Sequence, residues 1–232
     1  GAPPILDRIS FRISPGSFTA IVGQTGSGKS TLFHLLLRLI EPTEGEIRLG
    51  GVPLRDIPLA SLREFVGFIP QAPFIFDTTI RENLCMGLPP GGFAEGRIAE
   101  AVRQAQLDKL IASRSERGGL DAPVGPGGAT LSGGERQRIA LGRIFLRDPQ
   151  VIICDEYTAN IDNATARLIH ETLEKVFAGK TRVVITHQLY TIRGADNILV
   201  LDAGRIVDSG THEALVARPG LYRDMWDVQR LA

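Results

Sequence analysis

The chain has 232 residues, of which 43% are hydrophobic and 22% are charged, a composition typical of a globular protein with a sizeable core. Lysine plus arginine and aspartate plus glutamate each number 26, so charge provides no overall attraction to nucleic acid or to an anionic membrane surface. The two cysteines, Cys85 and Cys154, indicate no disulfide framework, and no apolar run approaches the roughly 20 residues that span a bilayer.

Apolar runs in the first third of the chain predict strands and one helix around a glycine-rich loop. Residues 19–22 form a short apolar run that ends at Gly23, which is typical of a buried strand leading into a loop. Leucines on nearly all sides of 30–40 predict a helix that packs on both faces. Alternation over 45–50 predicts a half-exposed strand, and 66–70 predicts another strand that its proline ends.

The middle of the chain has a different character from either end. Over 98–110 and 134–146, apolar residues recur at helical spacing, and glycine-rich loops separate the two stretches. Helical periodicity also covers 164–177, which lies between the strand-like runs of the last third. Those runs occupy 151–154, 182–186 and 198–201. Strands alternating with helices predict parallel strands joined by crossover helices.

The order of these elements predicts an α/β fold with a parallel or mixed sheet and an inserted helical subdomain. We expect the catalytic core to comprise residues 1–78 and 148–232, and the helical subdomain to occupy about 79–147.

The loop after the first predicted strand carries a phosphate-binding motif. Its sequence, GQTGSGKST, matches G-x-x-x-x-G-K-[ST] in full between a predicted strand and a predicted helix. Such glycines let backbone N–H groups converge on a phosphate, while Lys29 adds a positive charge for the β- and γ-phosphates and Ser30 offers Mg²⁺ a hydroxyl. The residues predicted to bind nucleotide are Gly23, Gln24, Thr25, Gly26, Ser27, Gly28, Lys29, Ser30 and Thr31.

Two carboxylates follow the apolar run at 151–154. At the end of that predicted strand, Asp155 is expected to face Mg²⁺, as the corresponding acid does in P-loop NTPases. Glu156 is the next residue, which suits a group that polarises water for attack on the γ-phosphate. The pair of carboxylates alone is weak evidence of function, but together with the phosphate loop it predicts nucleotide hydrolysis.

A second loop of small residues, LSGGE at 131–135, precedes the helix predicted at 134–146. Ser132 is a suitable N-cap, and Gly133 and Gly134 leave backbone amides exposed where a helix attracts anions. One interpretation is an ordinary capped helix. The other is a second phosphate cradle, which a chain with its own phosphate loop would need only for a γ-phosphate held by another copy.

Taken in order, these motifs resemble the nucleotide-binding domain of an ATP-binding-cassette (ABC) transporter, a P-loop NTPase with a RecA-like core. Three further residues carry the resemblance: Gln71 after Ile69-Pro70, Asp162 in the run ANID, and His187 in the run ITH. The match extends over essentially the whole chain.

The resemblance implies two such domains packed head to tail, with two ATP molecules sandwiched between them. Gln71 would then reach Mg²⁺ and sense the membrane partner, His187 would contact the γ-phosphate, and Asp162 would lie at the dimer seam. Catalysis would rest on Glu156, His187 and Lys29. The ligands implied for Mg²⁺ are Ser30, Gln71 and Asp155, and the residues implied to act on the partner's ATP are Ser132, Gly133, Gly134 and Glu135.

The segments 73–84 and 204–213 resemble the exporter branch of the family. The resemblance therefore implies ATP and Mg²⁺ as cofactors, and it implies two partners: a second nucleotide-binding domain in a homo- or heterodimer, and the transmembrane domain of the same transporter. It also implies membrane association on the cytoplasmic, ATP-containing face. Because the chain begins at Gly1 and lacks a spanning run, we expect it to be a domain cut from a longer protein.

Three alternatives stay open on the sequence: the ATPase subunit of an ABC importer, a soluble ABC ATPase acting on ribosomes or DNA, and a catalytically inactive, regulatory cassette. The second should show tandem cassettes or basic arms, which the sequence lacks. Two departures from the exporter pattern stand out. The adenine-stacking aromatic of the family would precede Pro4, and Pro126 stands where exporters usually carry part of a glycine–glutamate pair.

Overall fold

The structure is a computed structural model that describes residues 4–88, 94–157 and 162–231. The run Ala159-Asn160-Ile161, which leads to the predicted seam residue Asp162, lies outside these ranges. The chain divides into two compact units. The first comprises Gly1–Val66, Gln150–Ile153 and Gly179–Ala232, and the second comprises Gly67–Pro149 and Cys154–Ala178. The range 79–147, predicted as the helical insertion, lies wholly inside the second unit.

Three parallel strands form the centre of the first unit. Strand β1 (Phe18–Val22) is buried along its whole length. Its neighbours run parallel to it, with Ala20 opposite Val184 on one side and Ile198 on the other. Continuous apolar sequence suits strands of this kind, because a parallel sheet is covered on both faces. The two neighbours are the later strands Thr181–Ile185 and Asn197–Asp202.

One sheet of six strands contains these three. In chain order its strands are β1, β4 (Val66–Ile69), β5 (Val151–Asp155), β6 (Thr181–Ile185), β7 (Asn197–Asp202) and β8 (Arg205–Gly210). The order across the sheet is β4-β5-β6-β1-β7-β8. The crossovers in this order confirm the predicted α/β architecture.

The last strand, β8, makes the sheet mixed rather than parallel. It pairs with β7 in antiparallel fashion. Ala203 and Gly204 between the two strands have φ of 44° and 76°, and two consecutive positive φ angles are the mark of the tight turn that joins hairpin strands. Burial in β8 alternates along the strand, as expected for an edge strand with one face toward solvent.

The strand predicted over 45–50 is much shorter in the structure. Only β2 (Arg48–Leu49) pairs, in a two-stranded hairpin with β3 (Val52–Pro53). The prediction was therefore wrong for residues 45–47 and for Gly50. The length of β2 is limited by its pairing with β3, because only Arg48 with Pro53 and Leu49 with Val52 are paired.

The helices of the first unit are α1 (Lys29–Leu36), α2 (Leu59–Phe65), α8 (His212–Val216) and α9 (Leu221–Leu231). The helix predicted over 30–40 ends early, because Arg38 adopts a left-handed φ of 51°. The expectation of packing on both faces was wrong at this end, where Leu39 is 56% exposed.

The helices of the second unit are α3 (Ile80–Leu84), α4 (Glu95–Gln104), α5 (Asp108–Ser113), α6 (Gly133–Arg147) and α7 (Asn163–Val176). Two helices replace the single one predicted over 98–110, because Gln106 between them has a left-handed φ of 56°. Among the described residues, no helix is long and apolar enough to cross a membrane.

Candidate functional site

The predicted phosphate loop joins β1 to α1 in the first unit. Two of its glycines are required by the local geometry. A Cβ at Gly23 would lie 2.1 Å from the Leu201 carbonyl oxygen, so no side chain fits there. Gly28 has a φ of 102° at the N-cap of α1, a left-handed conformation that L side chains rarely adopt. The loop thus brings backbone and helix N-terminus together as a phosphate site requires.

Two polar side chains of this loop suit an anionic ligand. Ser27 is only 4% exposed, yet its hydroxyl has no hydrogen-bond partner within the part of the chain that the structure describes. Burying an unpaired hydroxyl costs about 1–3 kcal/mol, so a ligand oxygen at this point would recover a real loss. The Lys29 ammonium donates to the carbonyls of Gly23 and Gln24, each at 2.8 Å, and so its charge lies over the same loop.

In the second unit, the structure brings Glu156 and Gln71 together. These residues are 85 positions apart in the chain, and the Gln71 amide donates to the Glu156 carboxylate at 3.0 Å. Glu156 follows β5 directly and has a φ of 41°, a left-handed conformation that is costly for a residue with a side chain. Such strain is characteristic of functional positions, because it is kept where it directs a side chain.

The small-residue loop at 131–135 forms a complete capping box at the start of α6. The Ser132 hydroxyl accepts from the Glu135 N–H at 3.2 Å, and the Glu135 carboxylate accepts from the Ser132 N–H at 2.7 Å. Leu131 is buried and anchors the loop, while Ser132 is exposed. The prediction that Ser132 caps this helix is therefore confirmed. It is compatible with phosphate binding, since the Ser132 hydroxyl proton is not used by the cap.

Polar side chains of α6 attach this helix to the segments before and after Gln71. The buried Gln137 amide donates to the Pro70 carbonyl at 3.1 Å. The Arg143 guanidinium donates to the carbonyl of Asn83 at 2.7 Å, to its side-chain oxygen at 2.8 Å and to the Phe74 carbonyl at 2.8 Å. Burial lowers the pKa of Arg143 to about 10.

Arg143 was not among the residues predicted from the sequence, although a signal was present. Most residues of α6 around it are buried and apolar, among them Ile139, Leu141 and Ile144. A long cationic side chain within such a helix needs acceptors that lie elsewhere in the fold. Arg143 thus positions the helix that carries Ser132 relative to the segment after Gln71.

Replacing Arg143 with methionine should destabilise the protein, because it keeps the length of the side chain but removes the hydrogen bonds from the guanidinium to Asn83 and Phe74. We expect the free energy of unfolding to fall by about 2–3 kcal/mol. The thermal midpoint should fall by roughly 4–12 °C for a chain of this size. Arg103→Met on α4 is the matched control, since that side chain is 67% exposed. Equal midpoints for the two variants would contradict this role.

The remaining predicted site residues are Ser30, Asp155, Asp162 and His187. His187 is exposed just beyond β6, and its carbonyl accepts a hydrogen bond from the Gln229 side chain of α9. Asp162 is exposed, and its carbonyl accepts from the Ala166 N–H at 2.8 Å in the first turn of α7. Asp155 ends β5 and is half-buried. Ser30 lies in the first turn of α1 and is exposed.

These oxygen donors suit Mg²⁺ chemically. The ion prefers hard oxygen ligands and keeps several of its waters. Ser30 in the first unit offers a hydroxyl, while Asp155 and Gln71 in the second unit offer a carboxylate and an amide oxygen. The donor types therefore fit, and the assignment of these three residues as ligands stays a prediction.

Comparisons with known proteins point to one family. A family model described as "ABC transporter" matches residues 6–159. The chain is 43% identical over 229 residues to "ABC transporter aclQ" of Aspergillus oryzae, covering 99% of this chain and 28% of that protein. It is also 43% identical over 226 residues to the "ATP-dependent lipid A-core flippase" of Xylella fastidiosa, covering 97% of this chain and 38% of that protein.

A solved structure has the same fold. It is described as a bacterial Atm1-family ABC exporter with ATP bound, and it superposes with a TM-score of 0.91 at 38% identity. The superposition covers 97% of this chain and 39% of that chain. The chain thus spans well under half the length of the proteins that it matches.

Proposed function

Because the chain belongs to the ABC transporter family, whose ATPase domains bind and hydrolyse ATP, we propose that it is the nucleotide-binding motor domain of an ATP-driven exporter. The observation that carries the proposal is the phosphate loop, at the N-terminus of α1. There the buried Ser27 hydroxyl has no hydrogen-bond partner among the described residues, and the Lys29 ammonium lies over the same loop. Similar proteins named as a flippase and as an exporter favour export over an importer subunit or a soluble ABC ATPase.

In the proposed reaction, water attacks the γ-phosphate in line, and the protein contributes positioning and charge. Glu156 accepts a proton from the attacking water, and its hydrogen bond from Gln71 orients the carboxylate. Lys29 neutralises charge on the β- and γ-phosphates, and His187 contacts the γ-phosphate. Mg²⁺, held by Ser30, Asp155 and Gln71, would supply further positive charge against the phosphate oxygens.

The proposed partners follow from the exposed start of α6. Ser132, Gly133, Gly134 and Glu135 complete the site around ATP bound to a second nucleotide-binding domain, and Asp162 lies at the seam of that dimer. Dimer closure on ATP and opening after hydrolysis would drive a transmembrane domain of the same transporter. The motor would then act at the ATP-containing, cytoplasmic face of a membrane, with no role for nucleic acid.

The test is ATP binding by a Lys29→Ala variant in a calorimetric titration. Loss of a charge-assisted contact to phosphate should cost about 1.5–3 kcal/mol, or roughly 10- to 150-fold in affinity. Lys109→Ala on α5 is the matched control, because that lysine is exposed and lies outside the loop. Wild-type affinity in Lys29→Ala, or equal losses in both variants, would overturn the assignment of this loop as the ATP site.

A further inference from the structure

The side-chain amide of Gln229 on α9 contacts the backbone on both sides of Gln188. Its nitrogen donates to the His187 carbonyl, and its oxygen accepts from the Leu189 N–H at 2.9 Å. A primary amide has both a donor group and an acceptor, and here both are used on a single three-residue segment. The contact joins residues 40 or more positions apart.

The segment that Gln229 holds is buried at its two ends, and the Gln188 carbonyl between them accepts a hydrogen bond from the Thr191 hydroxyl at 2.7 Å. Thr186 and Leu189 are buried, at 3% and 0% exposure. Between them, the Gln188 N–H donates to the Thr186 hydroxyl at 2.9 Å, which makes a tight local turn. His187 is the exposed residue of this turn. A small rotation of the turn would therefore move the imidazole without disturbing the core.

Helix α9 is itself firmly docked within the first unit. Tyr222 is fully buried, and its hydroxyl lies 2.8 Å from Nδ1 of His212. The ring of Trp226 packs edge-on against the His212 ring at 4.6 Å between centroids. Tyr222, Trp226 and Gln229 follow the i, i+4, i+7 spacing of one helix face. The face of α9 that packs against the first unit thus also carries the Gln229 amide, which holds the His187 segment.

The same helix also borders the phosphate loop. A groove runs between Gln24 of that loop and residues Leu221, Met225 and Val228 of α9. One helix therefore lies beside two of the elements that the proposed function uses, the phosphate loop and the His187 segment.

We propose that Gln229 is a positioning residue for His187 and that α9 thereby sets the rate of hydrolysis. The proposal rests on the function proposed above, in which His187 contacts the γ-phosphate. The role assigned to Gln229 requires no contact between its side chain and the nucleotide. It holds the backbone of the His187 turn at an orientation from which the imidazole meets the phosphate as the transition state forms, so it acts on turnover rather than on ATP binding.

The experiment compares Gln229→Met with the wild-type chain. Methionine keeps the length of the side chain and removes both hydrogen bonds. We expect kcat to fall about 3- to 10-fold, as for one or two lost neutral hydrogen bonds, while calorimetric ATP affinity changes by less than about twofold. The kcat of Gln229→Glu should fall by a similar factor, because a carboxylate accepts from the Leu189 N–H but cannot donate to the His187 carbonyl.

Gln104→Met is the matched control. Gln104 donates one side-chain hydrogen bond, to Glu100 at 2.9 Å on α4 of the second unit, so its loss tests the general cost of such a bond. We expect the control to keep wild-type kcat, and its thermal midpoint measures the stability cost of one such bond.

A spectroscopic readout separates positioning from general stability. The chain has 4 histidines, so the imidazole Cε1–H signals can be assigned individually by NMR. In Gln229→Met the His187 signal should shift, while the signals of His34 and His170 should not. In Gln104→Met all four signals should stay in place.

Two results would overturn this proposal and leave the proposed function intact. The first is an unchanged kcat in Gln229→Met. The second is a lower kcat that comes with an equal loss of ATP affinity, or with a lower thermal midpoint and no shift of the His187 signal. A wild-type chain that binds no ATP would overturn the proposed function, and this inference with it.

Discussion

A Glu156→Gln variant is expected to bind ATP normally and to lose nearly all turnover. The amide keeps the size of the side chain and an oxygen that can accept the hydrogen bond from Gln71, which spans 3.0 Å in the structure. It cannot accept the proton of the attacking water, however. Removing a general base lowers turnover by about 10²- to 10⁴-fold. Steady-state phosphate release measures the loss, and a calorimetric titration measures ATP affinity.

Glu171→Gln on α7 is the control for that variant. It also removes one carboxylate from the second unit, but this carboxylate pairs with Arg167 at the surface, where such pairs contribute little. We expect it to keep wild-type turnover, and we expect Glu156→Gln to accumulate as an ATP-bound dimer. Turnover near the wild-type rate in Glu156→Gln would identify a different group as the base.

Mixing two inactive variants is expected to restore hydrolysis if the loop at 131–135 acts on a neighbour's ATP. Lys29→Ala removes the phosphate-loop cation, and Ser132→Arg blocks the exposed start of α6. In a two-fold dimer of one chain of each kind, one site keeps both an intact Lys29 and an intact Ser132. With equal amounts and random pairing, the mixture should recover up to about a quarter of wild-type activity.

Dilution provides an independent measurement of the same interface. Specific activity of the wild-type chain should rise with protein concentration in the micromolar range, because mass action drives pairing. Activity that stays constant over about a hundredfold dilution, together with no recovery in the mixture, would mean that the loop serves its own chain.

Local patterns in the sequence were sufficient to predict the position and local geometry of the phosphate loop. The steric demands at Gly23 and Gly28 and the position of the Lys29 ammonium over the loop belong to a motif whose residues are neighbours in the chain. Buried parallel strands were predictable for a similar reason. A strand covered on both faces needs a continuous apolar run, and β1, β5, β6 and β7 each carry one.

Element ends and the edge of the sheet were less predictable, because single backbone conformations decide them. The left-handed angles at Arg38 and Gln106 end two helices that apolar periodicity would extend. Neither residue is of a type that favours such an angle, so the periodicity contained no warning. The antiparallel β8 depends in the same way on the turn at Ala203 and Gly204.

Contacts between segments that are distant in the chain could not be predicted from local sequence patterns. The hydrogen bond between Gln71 and Glu156 joins two residues that were each predicted separately, but their meeting depends on how β4 and β5 end in the folded chain. The amide of Gln229 had no motif at all. Its proposed role depends on the packing of Tyr222 and Trp226, which brings α9 beside the turn at His187. Such packing could not be predicted from one position, because its free energy is a sum over many contacts.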